Sequence, residues 1–240
     1  MIKLFWYSYF VVYLIVASIS RLKVNFLRKR DPKAADLYAY KRIQDISRHV
    51  IKKSKTTVKV IGAENIIPEP CVFVGNHQAI YDAFVLMSTI NKPTGFIAKK
   101  EITKIPLIYG WLKEIHTVFL DRSSIKDGIK AINEGVENLN KGYSMVIFPE
   151  GTRSLASKMG EFKKGSMKLA LKANAPIVPF TLDGTYNVLE VGNQVRGHAI
   201  TIKFHKPIYI SELSKEEQKS INETVYSIVS NGLDEIIRLK

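Results

Sequence analysis

The chain is poor in cysteine. Its 240 residues hold one, Cys71, inside the apolar run "CVFVG". One thiol closes no internal disulfide, so the fold must rest on its core, and Cys71 reads as a small buried hydrophobe. Such sparing use of cysteine suits a reducing compartment. Acidic charge is scarce where the chain begins. Residues 1–59 carry 14 Lys/Arg against 3 Asp/Glu, a net +11, whereas residues 60–240 carry 22 against 19, a net +3. Most of the formal +14 therefore sits in the first quarter. Several signatures are missing altogether. There is no G-x-S-x-G, which excludes a serine-hydrolase elbow. There is no H-E-x-x-H or paired-cysteine pattern to hold a metal, and no G-x-G-x-x-G or P-loop to hold a nucleotide cofactor. No internal repeat and no low-complexity tract occurs.

What is present begins with "LFWYSYFVVYLIVASI", residues 4–19, which lacks any charge. Its aromatics crowd toward one end, as in a membrane-interface belt. As a helix, 16 residues rise about 24 Å, short of the roughly 30 Å hydrocarbon core, so the segment can span a bilayer if it is extended at both ends, or enter one leaflet. Arg21, Lys23, Arg28, Lys29, Arg30 and Lys33 follow. Basic charge beside an apolar segment suits an anionic lipid surface better than nucleic acid, and positive flanks stay on the cytoplasmic side. A cleaved signal peptide would carry its charge on the other side. A second helix is expected from about Ala34 to Lys53, with Leu37, Tyr40, Ile43, Ile46 and Val50 as one apolar stripe. The expected organisation is a membrane-seating segment over residues 1–55 and a folded domain over 56–240, located at the cytoplasmic face of the cell (inner) membrane.

Beyond "KSKTT" strands and helices alternate. Strands are expected at "TVKVIG", "CVFVG", "TGFIAK", "HTVFLD", "YSMVIFP", "PIVPFTL" and "HAITIKF". Helices are expected near residues 81–89, 105–114, 125–140, 163–172 and 216–239. This order predicts an α/β fold with a mixed, largely parallel central sheet flanked by helices, with sites where strands end.

Four stretches carry chemistry. In "GNHQAIYDAF" a strand ends at Gly75-Asn76, and His77 precedes Asp82 by five residues. On one continuous helix these two would point about 140° apart. They meet only if His77 sits in the turn and Asp82 in the first helical turn. Asp82 can then accept from one imidazole nitrogen and support the ring as a general base. In "MVIFPEGTRS" the loop offers Glu150 as an acceptor for a substrate hydroxyl, backbone N–H groups at Gly151 and Thr152, and Arg153 as a two-pronged phosphate or carboxylate grip. The plain alternative is a surface ion pair between Glu150 and Arg153. "FIAKKEITKIPLIYGWL" places Lys99 and Lys100 at a strand end, and "FLDR" adds Arg122. In "APIVPFTLDG", Pro176 and Pro179 are expected to break a strand and shape a wall. His49, His116, His198 and His205 lack an aspartate at the matching spacing and read as structural or surface.

Taken together, "NHQAIYD", "KKEITKIPLIYG" with "FLDR", "FPEGTRS" and "APIVPF" resemble, in order and spacing, the four motifs of the 1-acylglycerol-3-phosphate acyltransferase family. The match covers residues 72–182, close to half the chain. The N-terminal helices also look like the membrane-seating helices of compact bacterial members. The chain departs from the family pattern at Ala79, where many members carry serine, and at Ile102, where leucine is frequent. The resemblance implies transfer of a fatty acyl group from acyl-CoA or acyl carrier protein to the sn-2 hydroxyl of lysophosphatidate, giving phosphatidate, with no cofactor and no metal. It implies that His77 and Asp82 are catalytic. Lys99 or Lys100, Arg122 and Arg153 would hold phosphate, and Glu150 with Gly151 would place the glycerol. The expected partners are a phospholipid membrane, lysophosphatidate and the acyl donor, with no nucleic acid. Two other readings stay open. One is the same chemistry on glycerol 3-phosphate, another lysophospholipid or a lyso-aminolipid; the other is lipid binding without catalysis.

Overall fold

The computed structural model describes residues 2–121, 124–192 and 194–239, without the side chain of Ile125. Seven strands form one sheet: β1 (Thr57–Ile61), β2 (Val72–Gly75), β3 (Thr94–Lys99), β4 (Val118–Leu120), β5 (Ser144–Ile147), β6 (Ile177–Asp183) and β7 (Ala199–Phe204). Their spatial order is β1-β7-β6-β2-β5-β3-β4. The five strands from β6 to β4 are mutually parallel, β7 runs antiparallel to β6, and β1 runs parallel to β7. The helices are α1 (Lys3–Ser18), α2 (Arg21–Arg28), α3 (Pro32–Lys53), α4 (Tyr81–Thr89), α5 (Pro106–Glu114), α6 (Ile125–Asn140), α7 (Lys168–Ala173), α8 (Tyr186–Leu189), α9 (Lys215–Lys219) and α10 (Ile221–Arg238). The fold is α/β, with a mixed, mostly parallel sheet between helical layers.

The two-residue period of the strands decides which layer each side chain joins. Phe73, Val146, Val178 and Phe180 pack with α1, α3 and α4, while Val72, Val74, Met145, Ile147 and Ile177 pack with α6, α7 and α10. Both faces are covered, as a parallel sheet requires. Gly75 ends β2 because nothing larger fits there: a Cβ would lie 2.3 Å from the Phe180 carbonyl oxygen.

Four expectations need correction. Pro179 does not break β6, which is buried along its whole length. The β6 residues that bond to β2 are the even-numbered ones, as the Val72 N–H to Pro176 C=O bond shows, so the missing donor of Pro179 faces the other side. There its carbonyl accepts from the His205 N–H at 2.9 Å. The helix expected from residue 163 begins only at Lys168, because Gly165 takes φ +92° in the turn before it. The long C-terminal helix is two, interrupted at Ser220, whose hydroxyl bonds back to the carbonyls of Glu216 and Glu217. On α3, Tyr40, Ile43, Ile46 and Val50 are buried, but Leu37 is exposed. At 100° per residue Leu37 lies about 120° round from Ile43, and the buried stripe continues through Asp36 and Ala39 instead.

The N-terminal helices are locked to the rest. Arg28 bonds Asp36 of α3 and Glu114 of α5, both at 2.7 Å, and Arg21 reaches Glu114 at 3.5 Å. Arg21 lies against Gly110, where a Cβ would meet its guanidinium at 2.3 Å. Asp36 also takes Tyr143 and faces His116, which stacks on Tyr143. On α1, Trp6, Leu14 and Ala17 are buried, whereas Leu4, Phe5, Val11, Val12, Ile15 and Val16, with Ile19 just beyond it, are exposed. Among the described residues one helical stretch, Lys3–Arg28, is long and apolar enough to cross a membrane.

Candidate active site

The site is built at the C-terminal ends of β2 and β5, neighbours in the parallel part of the sheet. Between β2 and α4 the chain makes a short turn that carries His77. Asn76, fully buried, anchors it. Its amide donates to the Leu182 carbonyl and its oxygen accepts from the Leu182 N–H, both at 2.8 Å. Gln78 repeats the device, donating to Asp183 at 2.9 Å and accepting from the Gly184 N–H at 2.9 Å. The turn is thus fastened to the end of β6.

Asp82 stands in the first turn of α4 and is 0 % exposed. Its Oδ2 accepts three bonds: from the backbone N–H of Gln78 at 2.7 Å, from that of Ala79 at 3.1 Å, and from His77 Nδ1 at 2.7 Å. The two backbone donors come from the turn just ahead of α4, so Asp82 ties that turn to the helix it leads into. Oδ1 is buried and has no partner among the described residues. A carboxylate this poorly solvated gains much when the adjoining ring becomes a cation. His77 lies flat on Phe148, with ring centroids 4.1 Å apart. Bonding through Nδ1 assigns the proton of the neutral ring to that nitrogen, and leaves Nε2 with no partner among the described residues. The side chain is 21 % exposed. The arrangement can take a proton from a bound hydroxyl and stabilise the resulting imidazolium.

The β5 loop lies alongside. Ser154 N–H bonds the His77 carbonyl at 2.8 Å and Leu155 N–H bonds that of Gln78 at 3.1 Å. Glu150 is placed differently from its reading in the sequence. It is buried, and its two oxygens accept from the backbone N–H groups of His77 at 2.7 Å and Gly160 at 2.8 Å. Burial pushes its carboxyl above the usual range, with Asp82 adding to the rise and the two backbone donors and the His77 ring opposing it. Glu150 therefore clasps the two loops together. A Cβ at Gly160 would lie 2.9 Å from its Oε2, so glycine makes room for the clasp. Gly151, at φ +69°, spends its N–H on the Phe148 carbonyl, so that donor is not free. Thr152 is exposed.

Arg153 does not pair with Glu150. Its Nη1 donates to Glu190 at 2.8 Å, and its side chain is 39 % exposed. Glu190, just beyond α8, was not singled out from the sequence; lying 37 residues from its partner, it gives no local signal. The same holds for Gln78 with Asp183 and Asn76 with Leu182. Lys99 is the last residue of β3 and Lys100 follows it; both are exposed, beside Glu101 at 2.8 Å and Asp121 at 3.5 Å respectively. They share the sheet edge with His77 but stand two strands away, about 10 Å at the usual spacing. Arg122 lies outside the described residues. His205 is half-buried and bonded to Thr181 at 2.8 Å, its pKa pulled down by burial to about 4. Exposed Ile80, Leu155 and Val191 rim the site. The first residue of the α1 arm, Ile2, bridges to Gln194, and the Tyr7 phenol of α1 lies within electrostatic range of both Arg153 and Glu190.

The Acyltransferase family model matches residues 57–183. Among curated proteins the chain is 36 % identical to the chloroplastic 1-acyl-sn-glycerol-3-phosphate acyltransferase BAT2 of Brassica napus, over 68 % of this chain and 49 % of that one. It is 35 % identical to the 1-acyl-sn-glycerol-3-phosphate acyltransferase of Saccharomyces cerevisiae, over 75 % of this chain and 60 % of that one. The chain thus spans about half to three fifths of the length of these relatives. The crystal structure of the 1-acyl-sn-glycerophosphate acyltransferase PlsC of Thermotoga maritima matches with a TM-score of 0.78 at 28 % identity, covering 95 % of this chain and 94 % of that one.

Proposed function

Because the chain belongs to the 1-acylglycerol-3-phosphate acyltransferase family, we propose that it transfers a fatty acyl group from a thioester, acyl-CoA or acyl carrier protein, to the sn-2 hydroxyl of lysophosphatidate. The observation that carries this reading is the His77–Asp82 pair at 2.7 Å, with Nε2 unoccupied beside the loop that carries Arg153. Nε2 takes the hydroxyl proton as that oxygen attacks the thioester carbonyl. The new C–O bond forms, the tetrahedral centre collapses, and the C–S bond breaks. The proton held on His77 passes to the departing thiolate, which is itself a good leaving group. Neither a covalent acyl-enzyme nor a cofactor is required. Arg153 grips the phosphate from its open edge, with Lys99 or Lys100 and Arg122 as further cations. Glu150 and Gly151 act by shaping the loop rather than by touching the glycerol.

Residues 1–55 seat the catalytic part, residues 56–240, on the cytoplasmic face of the inner membrane in this account. Acceptor and product both live there, and the exposed apolar face of α1 adjoins the rim of the site. Introducing aspartate at Phe5, Val12 and Val16, all exposed, is expected to abolish flotation with anionic phospholipid vesicles. Undiminished flotation would remove α1 from the seat.

The decisive assay follows thiol release with a panel of acceptors (lysophosphatidate, glycerol 3-phosphate, another lysophospholipid, a lyso-aminolipid) against one acyl-CoA and one acyl carrier protein. Fastest release with lysophosphatidate is the expected outcome. Vesicle binding without thiol release from any pair would leave only lipid binding. Arg153→Ala is expected to raise KM for lysophosphatidate by about 10- to 100-fold, the worth of a charged hydrogen bond, and to leave turnover of an unphosphorylated monoacylglycerol little changed. Equal losses on the two acceptors would count against phosphate recognition.

A further inference from the structure

Glu190 lies outside the four stretches that carry the site's chemistry, yet one of its oxygens joins two of them. Oε1 accepts from Arg153 Nη1 at 2.8 Å and from the backbone N–H of Ile80 at 3.3 Å. That N–H belongs to the turn leading into α4, the helix that presents Asp82 to His77. Glu190 is the less exposed partner, its side chain 20 % accessible against 39 % for Arg153. The carboxylate therefore sits inside and the guanidinium reaches over it. The other guanidinium donors have no partner among the described residues. A long, flexible side chain is thus held by one nitrogen while its remaining donors stay available to a ligand.

We propose that Glu190 is a positioning residue, holding the Arg153 guanidinium over the His77 turn so that its open edge is set for the acceptor's phosphate. This rests on the reading of Arg153 as the phosphate grip. Glu190 touches no substrate; it acts through Arg153, and its effect belongs in acceptor binding rather than in the chemical step. Glutamine at 190 can accept the same two hydrogen bonds through its amide oxygen, whereas alanine cannot.

The test is a kinetic comparison of Glu190→Ala, Glu190→Gln, Arg153→Ala and the double variant Arg153→Ala/Glu190→Ala, each first checked by melting to be folded. Glu190→Ala is expected to raise KM for lysophosphatidate about tenfold with kcat within about twofold, and to leave turnover of the unphosphorylated monoacylglycerol unchanged. Glu190→Gln is expected to restore KM to within about threefold of the parent chain. The double variant is expected to be no worse than Arg153→Ala, because residues acting through one contact are not additive. The proposal is overturned if Glu190→Ala lowers kcat at unchanged KM, if its effect multiplies fully onto that of Arg153→Ala, or if Glu190→Gln is as impaired as Glu190→Ala. Phosphate-selective damage in Arg153→Ala with an inert Glu190→Ala sinks this inference alone. No phosphate selectivity in Arg153→Ala sinks the reading beneath it.

Discussion

Replacing His77 by alanine is expected to lower kcat by about 10²–10⁴, the usual contribution of a positioned general base, while the chain still folds and still floats with vesicles. The imidazole is the group whose Nε2 has no partner among the described residues, and Phe148 beneath it is a flat support rather than a substitute base. Asp82→Asn should fall in the same direction for a separate reason. Oδ2 accepts three donors within 3.1 Å, and an amide cannot serve three donors while also supporting an imidazolium. Single-turnover acyl transfer with excess enzyme is the measurement that isolates the step. Turnover in His77→Ala close to that of the parent chain would end the assignment of this ring as the base.

Glu150→Ala is expected to be costly to both fold and activity, and the pairing of the two effects is what tells its roles apart. Each of the backbone N–H groups of His77 and Gly160 loses its acceptor, at about 1–3 kcal/mol for a buried donor left without one. Against a total stability of about 5–15 kcal/mol, that predicts a fall in Tm of about 5 °C or more for a chain of this size. The two loops then separate at their clasp, which moves His77 relative to Arg153, and kcat/KM is expected to fall by about tenfold or more. A side chain that merely received a substrate hydroxyl would raise KM and leave Tm alone. That outcome would return Glu150 to the role its motif position suggests.

All seven strands were legible because short apolar runs bounded by turn residues alternate with helical patterns from residue 57 onward. The His77–Asp82 geometry was legible too, since it follows from a spacing of five residues and the rise of a helix. Glu150 was misleading because a motif shows which residue stands beside the chemistry and not which way it faces. Its two partners are backbone groups, which carry no sequence signature. Glu190, Asn76 and Gln78 depend on partners between 37 and 110 residues away, and such pairings are decided only when β6 comes to lie beside β2. Pro179 of β6 misled for a related reason. A missing donor matters only on the side where a neighbour asks for it, and that side is a property of the sheet register.

The salt links from α2 into α3 and α5 have a geometric consequence. Arg28 is shared between Asp36 and Glu114, and Arg21 is wedged against Gly110, so the apolar helices are a keel rather than a tether. Where such a keel lies in a lipid leaflet, its tilt also sets the heading of the cleft, and under the proposed function acceptor molecules would arrive by lateral diffusion in two dimensions. Catalytic rate then tracks how crowded the leaflet is with acceptor, not how much acceptor the surrounding water holds.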